Sequence, residues 1–134
     1  VTERVIITNM TPASRVSSIL ASVQCTVLRL GYMKLSEENT RALVTAMSKV
    51  QYVKLWSGVT LDPELLAAYD GQGKCTELEV WGPDTKIRYE TRLKRWARDK
   101  KWAVTHDSYV SLVMQRKSET ISPVSDNQGS CTVM

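Results

Sequence analysis

Three short stretches decide how this chain is read: Leu28-Arg29-Leu30, Val53-Lys54-Leu55 and Leu78-Glu79-Val80. Each runs apolar, charged, apolar, the alternation of a strand with one buried face. They begin at residues 28, 53 and 78, a spacing of 25 each time. A fixed period of that size marks a supersecondary unit repeated along the chain. Neighbouring positions keep the same beat. Cys25 and Cys75 lie 50 residues apart, each followed by Thr just before its strand, and Trp56 and Trp81 lie 25 apart, just after theirs. Upstream, Val5-Ile6-Ile7 begins 23 residues before Leu28; downstream, Trp102-Ala103-Val104 begins 24 residues after Leu78. The chain reads as five strand-like beats.

Helical signals fill the intervals. Thr11-Pro12 offers an N-cap with proline at the first helical position, and Val16, Ile19, Leu20 and Val23 follow at i, i+3, i+4 and i+7. Ser36 is the expected cap of a second helix, with Glu37 and Glu38 where the helix dipole favours acids and Leu43, Ala46 and Met47 facing inward. Asp62-Pro63 opens a third, with Leu65, Leu66 and Tyr69 inward and Gly71 as a left-handed stop. A fourth is expected over residues 84–99, with Tyr89, Leu93 and Trp96 on one stripe. Then His106-Asp107-Ser108 reads as a turn, and Tyr109, Val110, Leu112, Val113 and Met114 as a strand that caps the sheet in an antiparallel hairpin.

Strict alternation of short strands and helices requires parallel strands joined by crossovers. A 25-residue unit is short beside the roughly 30 or more residues of a doubly wound βαβ unit, and it suits a solenoid with strands lining one face and helices the other. The expected fold class is α/β: a solenoid of four or five strand–helix units with a parallel sheet in sequential order, over residues 1–117. Residues 118–134, rich in Ser, Asp, Asn, Gln and Gly, are expected to form a disordered polar tail. Cys25-Thr26-Val27-Leu28-Arg29-Leu30 and Cys75-Thr76-Glu77-Leu78-Glu79-Val80 resemble the leucine-rich repeat family, in the ribonuclease-inhibitor-like form that also closes many NOD-like immune receptors. The likeness covers residues 5–107. It implies a protein-interaction or ligand-sensing module of a larger intracellular protein, innate-immune in role and cytoplasmic in location.

Composition sets the bounds. The 134 residues suffice for one domain, and 43% hydrophobic with 24% charged residues is ordinary for a globular chain. No run approaches the roughly 18 apolar residues of a membrane span. A first residue of Val, not Met, reads as a processed chain or the C-terminal part of a longer one. Eighteen Lys plus Arg against fourteen Asp plus Glu give +4, enough for an acidic partner but short of the basic stripe of nucleic-acid binders. Nucleic acid is therefore disfavoured. Three scattered cysteines and one histidine offer no metal site, no cofactor is expected, and sparse cysteine points to a reducing compartment. Asn9-Met10-Thr11 matches a glycosylation acceptor, but Pro12 follows at once and the tripeptide is common by chance.

Three features could carry function. In the sheet, alternate residues share a face, so Val27, Arg29 and Gly31 align with Tyr52, Lys54 and Trp56 and with Glu77, Glu79 and Trp81. Strands about 4.8 Å apart would set Trp56 beside Trp81. Trp, Tyr and Arg dominate binding hot spots, so Arg29, Tyr52, Lys54, Trp56, Glu79 and Trp81 are the expected contacts for a protein partner. The competing reading has both indoles filling core and the charged row pairing with itself.

The second feature is the basic helix, where Arg88, Arg92, Arg95 and Arg98 are candidate anion-binding residues for anionic membrane or nucleic acid. Against this, Glu90 with Lys94 and Arg95 with Asp99 stand at i,i+4, the spacing of a solvated helix face. The third is Cys131-Thr132-Val133-Met134, which resembles a prenylation box with Cys131 as the lipidated residue. One lipid gives only reversible attachment, so the basic helix would supply the second membrane signal. No active site is expected. His106 stands alone, Gly71-Gln72-Gly73-Lys74 lacks phosphate-loop spacing, and the adjacent Glu37 and Glu38 diverge.

Overall fold

A computed structural model describes residues 3–117. The tail at 118–134 and Cys131 lie outside the described residues. The elements run β1 (Arg4–Ile7), α1 (Ala13–Ala21), β2 (Val27–Leu30), α2 (Glu37–Met47), β3 (Tyr52–Leu55), α3 (Pro63–Leu66), β4 (Glu77–Trp81), α4 (Pro83–Lys100), β5 (Trp102–Asp107) and β6 (Ser111–Arg116).

The first four strands pair in chain order and in parallel, with Leu28 opposite Val53 and Val53 opposite Leu78. Successive right-handed crossovers in one direction put their helices on one face of the sheet. Ile7, Leu28, Leu30, Val53, Leu55, Leu78 and Val80 point to that face and are buried, packed with Val16 and Leu20 of α1, Leu43 and Met47 of α2, and Tyr89 and Leu93 of α4. Each fully buried Leu or Val contributes about 1.5–3 kcal/mol relative to exposure.

The expected solenoid is overturned at the C-terminal end. Sheet order is β1-β2-β3-β4-β6-β5: β6 pairs antiparallel with β4, and β5 pairs antiparallel with β6. The fifth beat, Trp102-Ala103-Val104, therefore keeps the direction of β1–β4 but lands one place too far along, and β6 fills the gap in reverse. The sheet is mixed, and the leucine-rich-repeat-like parallel array in sequential order is not the fold. The cause lies in the apolar content of the two strands. Beyond Trp102 and Ala103, β5 is exposed at every position through Asp107, which suits an edge. Leu112 and Met114 of β6 are fully buried beside Val80 and Leu78 and take the inner place. His106, expected in a turn, is an exposed strand residue opposite Val113.

Local expectations fare unevenly for visible reasons. Ser36 caps α2 by accepting from the Asn39 amide at 3.1 Å, and Asp62 accepts from the Glu64 amide ahead of α3. Pro12 itself takes the N-cap position of α1, so Thr11 does not cap it. Helix α3 stops after one turn at Ala67, and Gly71, with φ +77°, shapes the loop beyond instead of ending the helix. Tyr69 is still buried: it stacks on Trp96, whose Nε1 donates to the Tyr69 carbonyl at 2.8 Å, while Trp102 meets Trp96 edge-on. This aromatic cluster ties the α3–β4 loop, α4 and β5 together.

A candidate interaction surface on the open sheet face

The face away from the helices is covered by no element among the described residues. Strand register sets its rows: Ile6, Arg29, Lys54, Glu79 and Val113 cross the sheet in line, with Val27, Tyr52, Glu77 and Gln115 in the row below. All six residues expected to bind a partner lie on this face. Their contacts divide them into two groups.

Lys54 and Glu79 pair with each other at 3.4 Å, both partly buried, so the middle of the charged row is self-satisfied as the competing reading had it. Glu77 accepts from Gln115 at 2.8 Å, and the Tyr52 hydroxyl accepts from the Gln51 amide at 3.2 Å. Arg29 behaves differently. Its guanidinium lies over Trp56, 4.2 Å from the ring centroid, with no carboxylate partner among the described residues. Trp56 meets Trp81 with centroids 5.0 Å apart and planes tilted by 30°. One guanidinium and two indoles thus form a continuous stack across β2, β3 and β4.

The ends of this stack are open and its centre is under-satisfied. Trp81 is 37% exposed. The Trp56 Nε1–H is buried yet has no hydrogen-bond partner among the described residues. Such a group costs about 1–3 kcal/mol when left unpaired, so it calls for an explanation. Gly31, in line with Trp56, brings no side chain against it; a Cβ there would lie 3.7 Å from the Trp56 Cβ.

Reading the sequence alone missed Ile6 on this face and the exposed Tyr32 just past the end of β2. Tyr32 is 60% exposed with φ +54°, a backbone conformation disfavoured for a bulky side chain, and its amide donates to Ser57 O at 2.8 Å. Held strain of that kind concentrates at functional positions. The only sequence signal was Gly31-Tyr32 at a strand end. Ile6, 44% exposed, was hidden in the uniformly apolar Val5-Ile6-Ile7, which does not say which side faces out.

Helix α4 does not form one cationic surface. Lys86 and Lys94 both bind Asp107 at 2.7 Å and share Glu90, and Arg92 binds Glu64 at 2.6 Å. The two lysines hold the Asp107 carboxyl down at about 2, and the acids in turn raise both lysines. Their role is to clamp β5 to α4. Arg88, Arg95 and Arg98 remain exposed without an ion pair among the described residues; Arg95 and Asp99 do not pair.

Neither described cysteine is poised for chemistry. Cys75 is fully buried and burial pushes its thiol up to about 11; burial also raises Cys25. Both are free thiols. No described helix is long and apolar enough to cross a membrane. No protein-family model, no curated protein and no solved structure matches this chain.

Proposed function

We propose that this chain is a protein-interaction module of a larger intracellular protein that docks its partner on the open sheet face, anchored at Arg29, Trp56 and Trp81. The observation that carries the reading is the stack itself: a guanidinium and a partly exposed indole on either side of a buried indole N–H, the first without an ion pair and the last without an acceptor among the described residues. A partner carboxylate at the stack would pair with the Arg29 guanidinium, and an apolar side chain would cover Trp81. Tyr52, Lys54 and Glu79 would frame the contact, with Tyr32 and Ile6 at its rim. Two free, buried thiols fit a reducing compartment.

The test is a photo-crosslinking residue in place of Glu79, compared with one in place of Arg15 on the outer side of α1. A partner captured through Glu79 alone is then purified and titrated against Trp81→Ala and Arg29→Ala. Hot-spot residues are worth about 2 kcal/mol or more, so each variant should weaken binding roughly thirtyfold. A captured partner that binds both variants as tightly as the parent refutes the reading.

A further inference from the structure

The two ends of this molecule differ in charge. Parallel strands with helices returning along one face make α1, α2 and α4 point the same way, so every helix starts at one end and stops at the other. Acids favour helix starts and bases favour helix ends. In a fold with aligned helices these local preferences add. Glu37 and Glu38 open α2, Asp62 and Glu64 open α3, and Asp84 opens α4, all at the end where the parallel strands finish.

The opposite end gathers cations from four separate segments. Lys49 follows α2 and donates to the Ala21 carbonyl at the end of α1. Lys74 lines a groove of about 500 Å³ with Lys49, and its amide donates to Ser48 O at 2.8 Å. Arg116 closes β6 and binds the Gly71 and Gly73 carbonyls at 3.2 and 2.7 Å, with Lys117 next to it. Lys100 packs against Gly71, and Lys101 ends α4 in the left-handed conformation. None of these six has an ion pair among the described residues, and five of them are exposed. Of the nearby carboxylates, Asp70 accepts from the Gln72 amide in its own loop and Glu77 accepts from Gln115, while Glu3 and Asp99 stay exposed.

We infer that this cationic end is a docking surface for a bilayer rich in anionic lipid, which the molecule meets end-on. A flat anionic layer attracts the Lys49, Lys74, Lys100, Lys101, Arg116 and Lys117 end more strongly than the opposite end, where Arg15 and Lys34 stand among the acids, fixing orientation with no deep pocket. Helix-end carbonyls also lie at this end, one of them bound by Lys49, and their partial negative charge disfavours a phosphate held between them. Single-stranded nucleic acid fits less well, because Tyr69, Trp96 and Trp102 near this end are buried, which leaves a base little more than the half-buried Tyr52 at the start of β3 to stack on. The inference is independent of the sheet-face reading and replaces the exposed side of α4 as the membrane-facing element.

The test is co-sedimentation of the full chain with phosphatidylserine-rich vesicles and with pure phosphatidylcholine vesicles, for two triple variants. Lys74, Lys100 and Lys117→Gln should weaken binding to the anionic vesicles roughly a hundredfold, at about fivefold for each basic residue lost near the surface. Arg15, Lys34 and Arg88→Gln removes equal charge from exposed positions toward the end where the helices start and should stay within about threefold, since those positions stand about a screening length or more from the layer. Parent binding should weaken as salt is raised. Equal losses in the two triple variants, parent binding that is absent or no stronger than to phosphatidylcholine, or tighter binding to an oligonucleotide at matched phosphate would each overturn the inference. Thermal unfolding midpoints matching the parent show that the exposed substitutions leave the fold intact.

Discussion

Replacing Tyr89 by Phe removes a single oxygen from the middle of the molecule and should cost about 2 kcal/mol of folding stability. The residue is fully buried on α4, and its hydroxyl reaches across to the segment between β3 and α3. There it accepts from the Leu61 amide at 2.9 Å and has the Val59 and Leu61 carbonyls at 3.2 and 3.3 Å for its one proton. Burial raises the hydroxyl above its ordinary value, so it stays protonated at neutral pH and keeps both roles. Without it the Leu61 N–H sits in an apolar interior with no partner, the full desolvation penalty of about 1–3 kcal/mol. The expected signature is a lower urea midpoint with an unchanged slope, a thermal midpoint lower by about 8 °C, and faster exchange of the Leu61 amide. A loss under about 0.5 kcal/mol, or a Leu61 amide as protected as in the parent, would refute this account of how α4 holds the loop that follows Trp56.

Asp107→Asn tests the clamp on β5. The folded carboxyl is held at about 2 against an ordinary 3.8, so its stabilisation is present above the ordinary value and is lost as pH falls toward 2. Urea unfolding across that range should show a drop in the parent that the variant lacks. Gly73→Ala should cost at least about 2 kcal/mol by thermal denaturation, because φ is +88° and the new methyl would lie 2.5 Å from Ser48 O; a parent-like midpoint contradicts it. Ser36→Ala should lose about 1 kcal/mol and Ser36→Gly only a few tenths, since the Ser36 hydroxyl accepts from the Asn39 amide. Equal losses in the two variants would show that the cap bond is not the cause.

What could be read from the sequence was whatever repeats locally. The apolar-charged-apolar triplets state which residues of β2, β3 and β4 face the core, and the 25-residue spacing places Arg29, Lys54 and Glu79 in register. Spacing carries direction but not adjacency. Trp102-Ala103-Val104 arrives on the beat, yet its place is contested by β6, and the winner is decided by burial of Leu112 and Met114, a tertiary competition that no window along the chain contains. The site shows the same division. Side-by-side Trp56 and Trp81 follow from register, whereas the seat of Arg29 over Trp56 depends on the pairing of Lys54 with Glu79, which leaves no carboxylate for Arg29. The clustering of cations in one stretch of sequence misled, because alternate turns of α4 face different neighbours: Lys86 and Lys94 turn to Asp107, and Arg92 turns to Glu64.

Charge separation between the ends and the aromatic stack on the face arise from one cause, the parallel alignment of β1–β4. Aligned strands put Arg29, Trp56 and Trp81 on neighbouring positions of one open surface, and aligned helices sort acids from bases along the perpendicular direction. An antiparallel meander with the same composition would alternate helix directions and cancel the second effect while keeping the first. Because the cationic end and the open face lie at right angles, a layer held by Lys74, Lys100 and Lys117 leaves Trp81 uncovered. Each surface can therefore be disabled by substitution without touching the other, which is why Trp81→Ala should leave vesicle binding intact and the lysine variants should leave partner binding intact.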